Sequence, residues 1–269
     1  MTVAILVVPS VTKLPPEADG AVVVGGSHAA LYAAHVIAKA GVRAAIHHDA
    51  GIGLEEAGVA GLVLAQELGM AMAAVDSASA RIGEAEDMMR RGIVSRANAL
   101  AAACGVTAGQ TCAEAAQRLK AAPWPHRAPR ARAEDTGRSV FEARPEQRKI
   151  VCIDSATMIA TEDRDRVVAT GSHGAEPSGQ VVAPVRPALV LYNDAGFGAD
   201  RAGAAALPVL DQAGIAGATV AALSAKIGEG RSTLTQGVLS VVNEAAYRLG
   251  GRVGGSALAL ARRVAEKAV

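Results

Sequence analysis

Three polar motifs occur twice in this 269-residue chain, and each carries groups able to move a proton or hold an anion. Gly26-Ser27-His28 returns as Gly171-Ser172-His173, and Asp49-Ala50-Gly51-Ile52-Gly53 returns as Asp194-Ala195-Gly196-Phe197-Gly198. Ser79-Ala80-Arg81-Ile82-Gly83-Glu84 returns as Ser224-Ala225-Lys226-Ile227-Gly228-Glu229. Histidine titrates near neutrality and suits general acid–base work, and a carboxylate in reach can fix its tautomer. Serine, histidine and aspartate around one crevice also permit nucleophilic catalysis. The candidate catalytic set is therefore Ser172, His173, Asp194 and Lys226. Ser155 and Ser224 are alternative nucleophiles, because neighbours in an extended segment such as Ser172 and His173 point opposite ways. Lys226 either pairs with Glu229, clamps an anionic substrate or, if burial keeps it neutral, acts as a base for serine.

Gly171, Gly174, Gly196 and Gly198 allow backbone amides to approach a ligand closely, as in a nest for an oxyanion, or else simply turn the chain. Arg231 and Ser232 open a helix and would complement a carboxylate by charge and helix-terminal amides. Glu229, with His28, Asp49 and Arg81 of the first copy, completes the expected substrate-binding set. Neither a dinucleotide fingerprint nor a phosphate loop is present, so no nucleotide cofactor is expected. His28, His47, His48, Asp49, His173 and Asp194 are metal-ligand types, but they lack close ligand spacing, and no metal is expected either.

The motifs belong to a longer repeat. A shift of 145 positions lays residues 22–106 on 167–251 without a gap, identical at 30 of 85 positions. The second copy is the richer in polar groups and backbone freedom: Asp154, Thr170, Gly174, Gly230 and Ser232 stand where the first has Pro9, Gly25, Ala29, Ala85 and Asp87. Either it holds the working site, or both Ser-His motifs meet in one central cleft.

The elements that must position these groups follow from periodicity. Short apolar runs at 4–8, 20–25, 42–47, 71–75, 150–154, 166–170, 188–192 and 216–222 predict strands. Helical spacing predicts helices over 30–40, 55–68, 88–104, 201–213 and 234–249, whereas the segment 174–179 after His173 begins as a loop. The expected fold class is α/β: two duplicated parallel-sheet halves related by a pseudo-twofold, over 1–106 and 150–269. Residues 107–149 read as a linker or lid with a short helix at 112–120, opened by a Thr111–Glu114 capping box and followed by a Pro/Arg-rich run at 123–132. Asn98 and Asn243 are expected inside a helix, where their recurrence implies a buried hydrogen bond or a contact between the halves. In such a sheet ligands bind beyond the carboxyl ends of the strands, and every repeated polar motif falls there.

Composition narrows the classes. Hydrophobic residues make up 51% of the chain but aromatics only 2%, so the core is built from Ala, Val, Leu and Ile. With 27 basic and 26 acidic residues the net charge is +1, which gathers neither nucleic acid nor an anionic membrane. The apolar run at 1–8 has no basic flank and is too short to span a bilayer, so it reads as a buried first strand. Three cysteines without metal-ligand spacing point to a reducing cytoplasm, and Cys152, opposite Val7, to a small core hydrophobe. Alanine-rich faces point to a homo-oligomer.

These features favour a cytoplasmic hydrolase acting on an amide, lactam or related carbonyl bond of a small, polar, anionic molecule. The rivals are a lyase or isomerase with paired acid–base groups, a non-enzymatic small-molecule binding protein, and a scaffold whose motifs only tie loops together. A racemase with one cysteine per half is disfavoured, because no two cysteines are related by the shift.

Overall fold

The structure is a computed structural model and describes residues 3–125 and 137–266. Runs of valine, alanine and isoleucine, too small to fill a core singly, form strands buried on both faces. In the first sheet these are β1 (Ile5–Val8), β2 (Val22–His28), β3 (Ala44–His48), β4 (Ala71–Val75) and β5 (Val94–Ala97), ordered β1-β2-β3-β4-β5. Helices α1 (Leu31–Lys39), α2 (Gly61–Glu67), α3 (Ala85–Arg91), α4 (Ala99–Ala103) and α5 (Cys112–Leu119) accompany it. Alternation along the strand serves two layers, with Val22 and Val24 joining Met88 and Leu119 on one face while Val23 joins Ala34 and Leu62 on the other.

The second sheet contains β6 (Arg138–Glu142), β7 (Ile150–Ile153), β8 (Val167–His173), β9 (Leu189–Asn193), β10 (Ala216–Val220) and β11 (Leu239–Val242), ordered β11-β10-β9-β8-β7-β6. With it go α6 (Glu176–Val182), α7 (Ala206–Gln212), α8 (Gly230–Thr235), α9 (Glu244–Arg248) and α10 (Ala257–Glu266). Strands β1 to β5 begin at residues 5, 22, 44, 71 and 94, and β7 to β11 at 150, 167, 189, 216 and 239, each 145 positions later.

The chain is α/β, but the sheets are mixed and not wholly parallel. Edge strands β5, β6 and β11 run antiparallel to their neighbours. The expected helices at 88–104 and 234–249 are each broken into helix, strand and helix. Gly92 makes the first break, for a Cβ there would lie 2.5 Å from the Met88 carbonyl oxygen; Gly237 meets the Thr233 carbonyl in the same way. Asn98 and Asn243 therefore sit at helix N-caps and not inside a helix. Asn243 Oδ1 accepts from the amides of Ala246 (2.9 Å) and Gly217 (3.0 Å), and its amide donates to Ile215 O at 2.8 Å. The segment after His173 is helical too, with Pro177 in the first turn, where its missing N–H costs nothing.

By contacts the chain divides into a first unit of residues 1–52, 56–131 and 198–200 and a second of 53–55, 132–197 and 201–269. Within the 107–149 segment, Cys112, Ala115, Ala116 and Leu119 of α5 belong to the first unit's core, and Thr111 and Glu114 form the capping box. Arg138–Glu142 pairs with β7. The Pro/Arg-rich run from residue 126 onward lies outside the described residues. Among the described residues no helix is long and apolar enough to cross a membrane.

Candidate functional site at the strand carboxyl ends

Strands β8, β9 and β10 end level with one another, His173 in register with Asn193 and Asn193 with Val220. Beyond β9 the chain enters a run of left-handed residues: Ala195, Gly196, Phe197, Gly198, Asp200 and Arg201 have φ of 51°, 71°, 64°, 65°, 55° and 55°. The same run follows β3, through Ala50, Gly51, Ile52, Gly53, Glu55 and Glu56. A left-handed non-glycine residue costs about 1 kcal/mol or more, so such a run needs bracing. Asp194 supplies it. Its Oδ1 accepts from the amides of Gly196 and Ala222, both at 2.9 Å, while Oδ2 makes no hydrogen bond among the described residues. Asp49 Oδ1 does the same for Gly51 (2.9 Å) and Ser77 (3.0 Å).

One residue earlier, two different side chains perform one task. Asn193 donates to Ala225 O at 3.0 Å and accepts from the Ala195 amide at 2.8 Å. His48 has Nε2 3.0 Å from Ala80 O and Nδ1 3.0 Å from the Ala50 amide nitrogen, which fixes the proton on Nε2. His48 is thus a structural tie, and burial lowers its pKa although the Ala80 carbonyl works the other way. His47, fully buried, replaces Tyr192 and stacks against Gly25, whose Cβ would come within 3.1 Å of the ring. Burial, then the nearby His28, lowers His47 to about 3; the backbone of His28 gives it a weak contact short of full hydrogen-bond geometry. Burial, then His48, lowers His28 to about 4. All three imidazoles are held neutral at pH 7.

His173 differs. It is half-buried, and its Nδ1 accepts from the Ala175 amide at 3.3 Å, so the neutral ring carries its proton on Nε2. A backbone amide sets the tautomer. Ser172 Oγ accepts from the Ala156 amide at 2.8 Å, as Ser27 Oγ does from Val11 at 3.2 Å, and Ser155 Oγ caps the turn that follows β7. Ser224 Oγ donates to Ala221 O and accepts from the Val238 amide.

The glycines mainly permit close packing. A Cβ on Gly171 would lie 2.5 Å from Glu229 N, and one on Gly174 2.6 Å from Gly203 O. The amide of Gly174 is bonded to Asn193 O and that of Gly196 to Asp194, so neither is aimed at a ligand. Gly198 falls in the first unit, beside Ser77 O.

Lys226 is not a neutral base. Its Nζ lies 2.6 Å from Glu55 Oε2, a residue of the second unit, and the Glu55 hydrogen bond raises its pKa, with Glu229 adding to the effect. In the first unit Arg81 pairs with Asp200 at 2.8 Å and Glu84 at 3.5 Å. Glu229 precedes α8 as its N-cap residue without a side-chain cap bond, Arg231 lies over the Phe141 ring at 5.3 Å, and Ser232 Oγ accepts from the Lys226 amide at 2.8 Å.

The second unit thus carries Ser155, Ser172, His173, Asp194 and Lys226 at or beyond the ends of β7 to β10, while His28, Asp49 and Arg81 occupy matching places in the first. Glu55, Asp200 and Asn193 are polar partners missing from the expected set. Charge matching would have found two of them, since Glu55 and Asp200 are acids 145 positions apart, as Arg81 and Lys226 are bases. Among the described residues no three His, Cys, Asp or Glu side chains are grouped to hold a metal ion. No family model matches this chain, and neither a curated protein nor a solved structure matches it.

Proposed function

We propose that the protein is a hydrolase of an amide, lactam or related carbonyl bond in a small polar, anionic molecule, worked by the strand ends of the second unit. The observation that carries this reading is His173: it alone among the histidines near the described strand ends keeps access to solvent, in register with Asn193, the residue before the braced Asp194. With Nε2 protonated it serves as a neutral donor that polarises a carbonyl oxygen, a part the glycine amides do not fill. Asp194 Oδ2 would accept the proton of Ser172, of Ser155 or of a water as it attacks. Lys226, charged, would attract the substrate's anionic group.

A second reading, a small-molecule binding protein, is favoured by a specific observation: the hydroxyls of Ser155, Ser172 and Ser232 and the amides of Gly174 and Gly196 are engaged in internal hydrogen bonds. Incubating the protein with a panel of cyclic and linear amides in heavy-oxygen water separates the two. Hydrolysis places the label in a product carboxylate, and His173→Gln abolishes it. A molecule that raises the melting temperature yet returns unlabelled would favour binding.

The 145-residue register of identical motifs and matching elements also supports descent of both units from one duplicated unit. A cytoplasmic setting, with no nucleic-acid partner and self-association through alanine-rich faces, completes the reading.

A further inference from the structure

At the other end of the second sheet, where the strands begin, lies a cavity of about 260 Å³ whose lining includes Arg148, Asp165, Arg186, Pro187, Ile215 and Leu249. Arg148, Asp165, Arg186 and Ile215 precede β7, β8, β9 and β10, and Leu249 follows α9, so the cavity is separate from the carboxyl ends that carry the proposed chemistry. The first unit treats the same place differently. There the indole of Trp124 lies over Gly20 and the Arg43 guanidinium sits 5.1 Å from its ring centre, with Arg43 Nη1 donating to Ala122 O at 2.8 Å. Positions 20, 41 and 43 correspond, 145 residues on, to Asp165, Arg186 and Ala188. In the second unit Ala188 stands where the first has the stacking arginine, and the described residues there line a partly apolar hollow.

The replacements are charged in an unfavourable backbone conformation. Arg186 has φ of 58° where Gly41 has 71°, and Asp165 has 58° where Gly20 has 73°. A side chain in the left-handed region costs free energy that glycine avoids. Among the described residues the Arg186 guanidinium has no ion pair or hydrogen bond, although it stands at the cavity rim. Arg148 reaches Val264 O at 3.3 Å. Asp165 has Arg164 at 3.8 Å on the exposed side. The Arg186 guanidinium, without an ion pair among the described residues, supplies one positive charge at the cavity, which suits a monoanion.

We propose that this cavity binds a small monocarboxylate bearing one flat ring, the ring taking up the kind of place that the indole of Trp124 fills in the first unit and the carboxylate facing Arg186. The volume fits a single-ring molecule, and Pro187, Ile215 and Leu249 supply apolar contact.

The test measures binding of benzoate and salicylate by titration calorimetry and ligand-detected NMR, with benzyl alcohol and acetate as probes lacking the charge or the ring. Benzoate is expected to bind at least roughly tenfold more tightly than either control. Arg186→Gly should weaken it by a similar factor while leaving the unfolding midpoint unchanged or higher, because glycine suits the left-handed position. A merely structural arginine would give the opposite, lost stability with unchanged binding. Benzoate binding no better than the controls, or equally well to Arg186→Gly, overturns the proposal; neither result depends on whether the strand-end site hydrolyses anything.

Discussion

The strand ends of the two units solve the same backbone problem with different chemistry. Both follow their third strand with a left-handed run, both brace it with an aspartate Oδ1 on two amides, and both tie the preceding residue to the loop after the fourth strand. Yet the tie is an imidazole in one and an amide in the other, and the core position before it is His47 in one and Tyr192 in the other. A motif kept in both units is therefore a poor guide to chemistry by itself. What separates them is access: His28, His47 and His48 are buried, whereas His173 is half-exposed.

The comparison breaks most visibly in acid. His47 is neutral in the folded protein down to about pH 3, whereas the unfolded chain takes up a proton near 6.5. Because the folded pKa is the lower, stability is complete above about 6.5 and falls as pH drops through 6.5 toward 3. The loss reaches up to about 5 kcal/mol for this group, with His28 acting in the same direction. His47→Tyr, which imports the second unit's residue, should flatten the pH dependence of urea midpoints between pH 6.5 and 4. An unchanged slope would show that the buried imidazole is not its source.

Removing the brace comes next. Asp194→Ala leaves the amides of Gly196 and Ala222 without their acceptor and should cost about 3 kcal/mol by chemical denaturation, and Asp49→Ala a similar amount. A neutral result at one site alone would mean that the two left-handed runs are not held alike.

A smaller effect sharpens the parallel. His48→Asn should reproduce both hydrogen bonds in the manner of Asn193 and cost less than about 1 kcal/mol, against about 2 for His48→Leu, which strands two buried backbone groups. Equal losses in the two variants would contradict the assignment of His48 as a tie. Least of all should follow from Lys226→Gln. Its ion pair with Glu55 is exposed on both sides, 28% and 63%, and a double-mutant cycle should yield under about 1 kcal/mol.

Much of this was legible in the residues. The eight parallel strands follow apolar runs, and Ala71–Val75 begins and ends where the pattern does. The edge strands were not legible: Val94-Ser95-Arg96-Ala97 offers only four alternating residues between alanine-rich helical stretches, too few to show a period. Gly92 and Gly237 were the available signal, since both stand where a Cβ would strike a carbonyl. At the candidate site the motifs fall where the sequence places them, as Ser172, His173, Asp194 and Lys226 lie at or beyond the carboxyl ends of β8, β9 and β10. Their partners were hidden, because the hydrogen bond from the Ala222 amide to Asp194 crosses 28 residues and depends on a backbone, which leaves no mark in side-chain identity.

The central claim is that accessible His173, and not its buried counterpart, does chemistry. Comparing His173→Gln with His28→Gln, each incubated with a small-metabolite extract and followed by mass spectrometry, tests it most directly. The account predicts that wild type and His28→Gln consume a metabolite and form a product heavier by one water, and that His173→Gln does neither. Consumption by His173→Gln at the wild-type rate, or no consumption by any of the three, would contradict it.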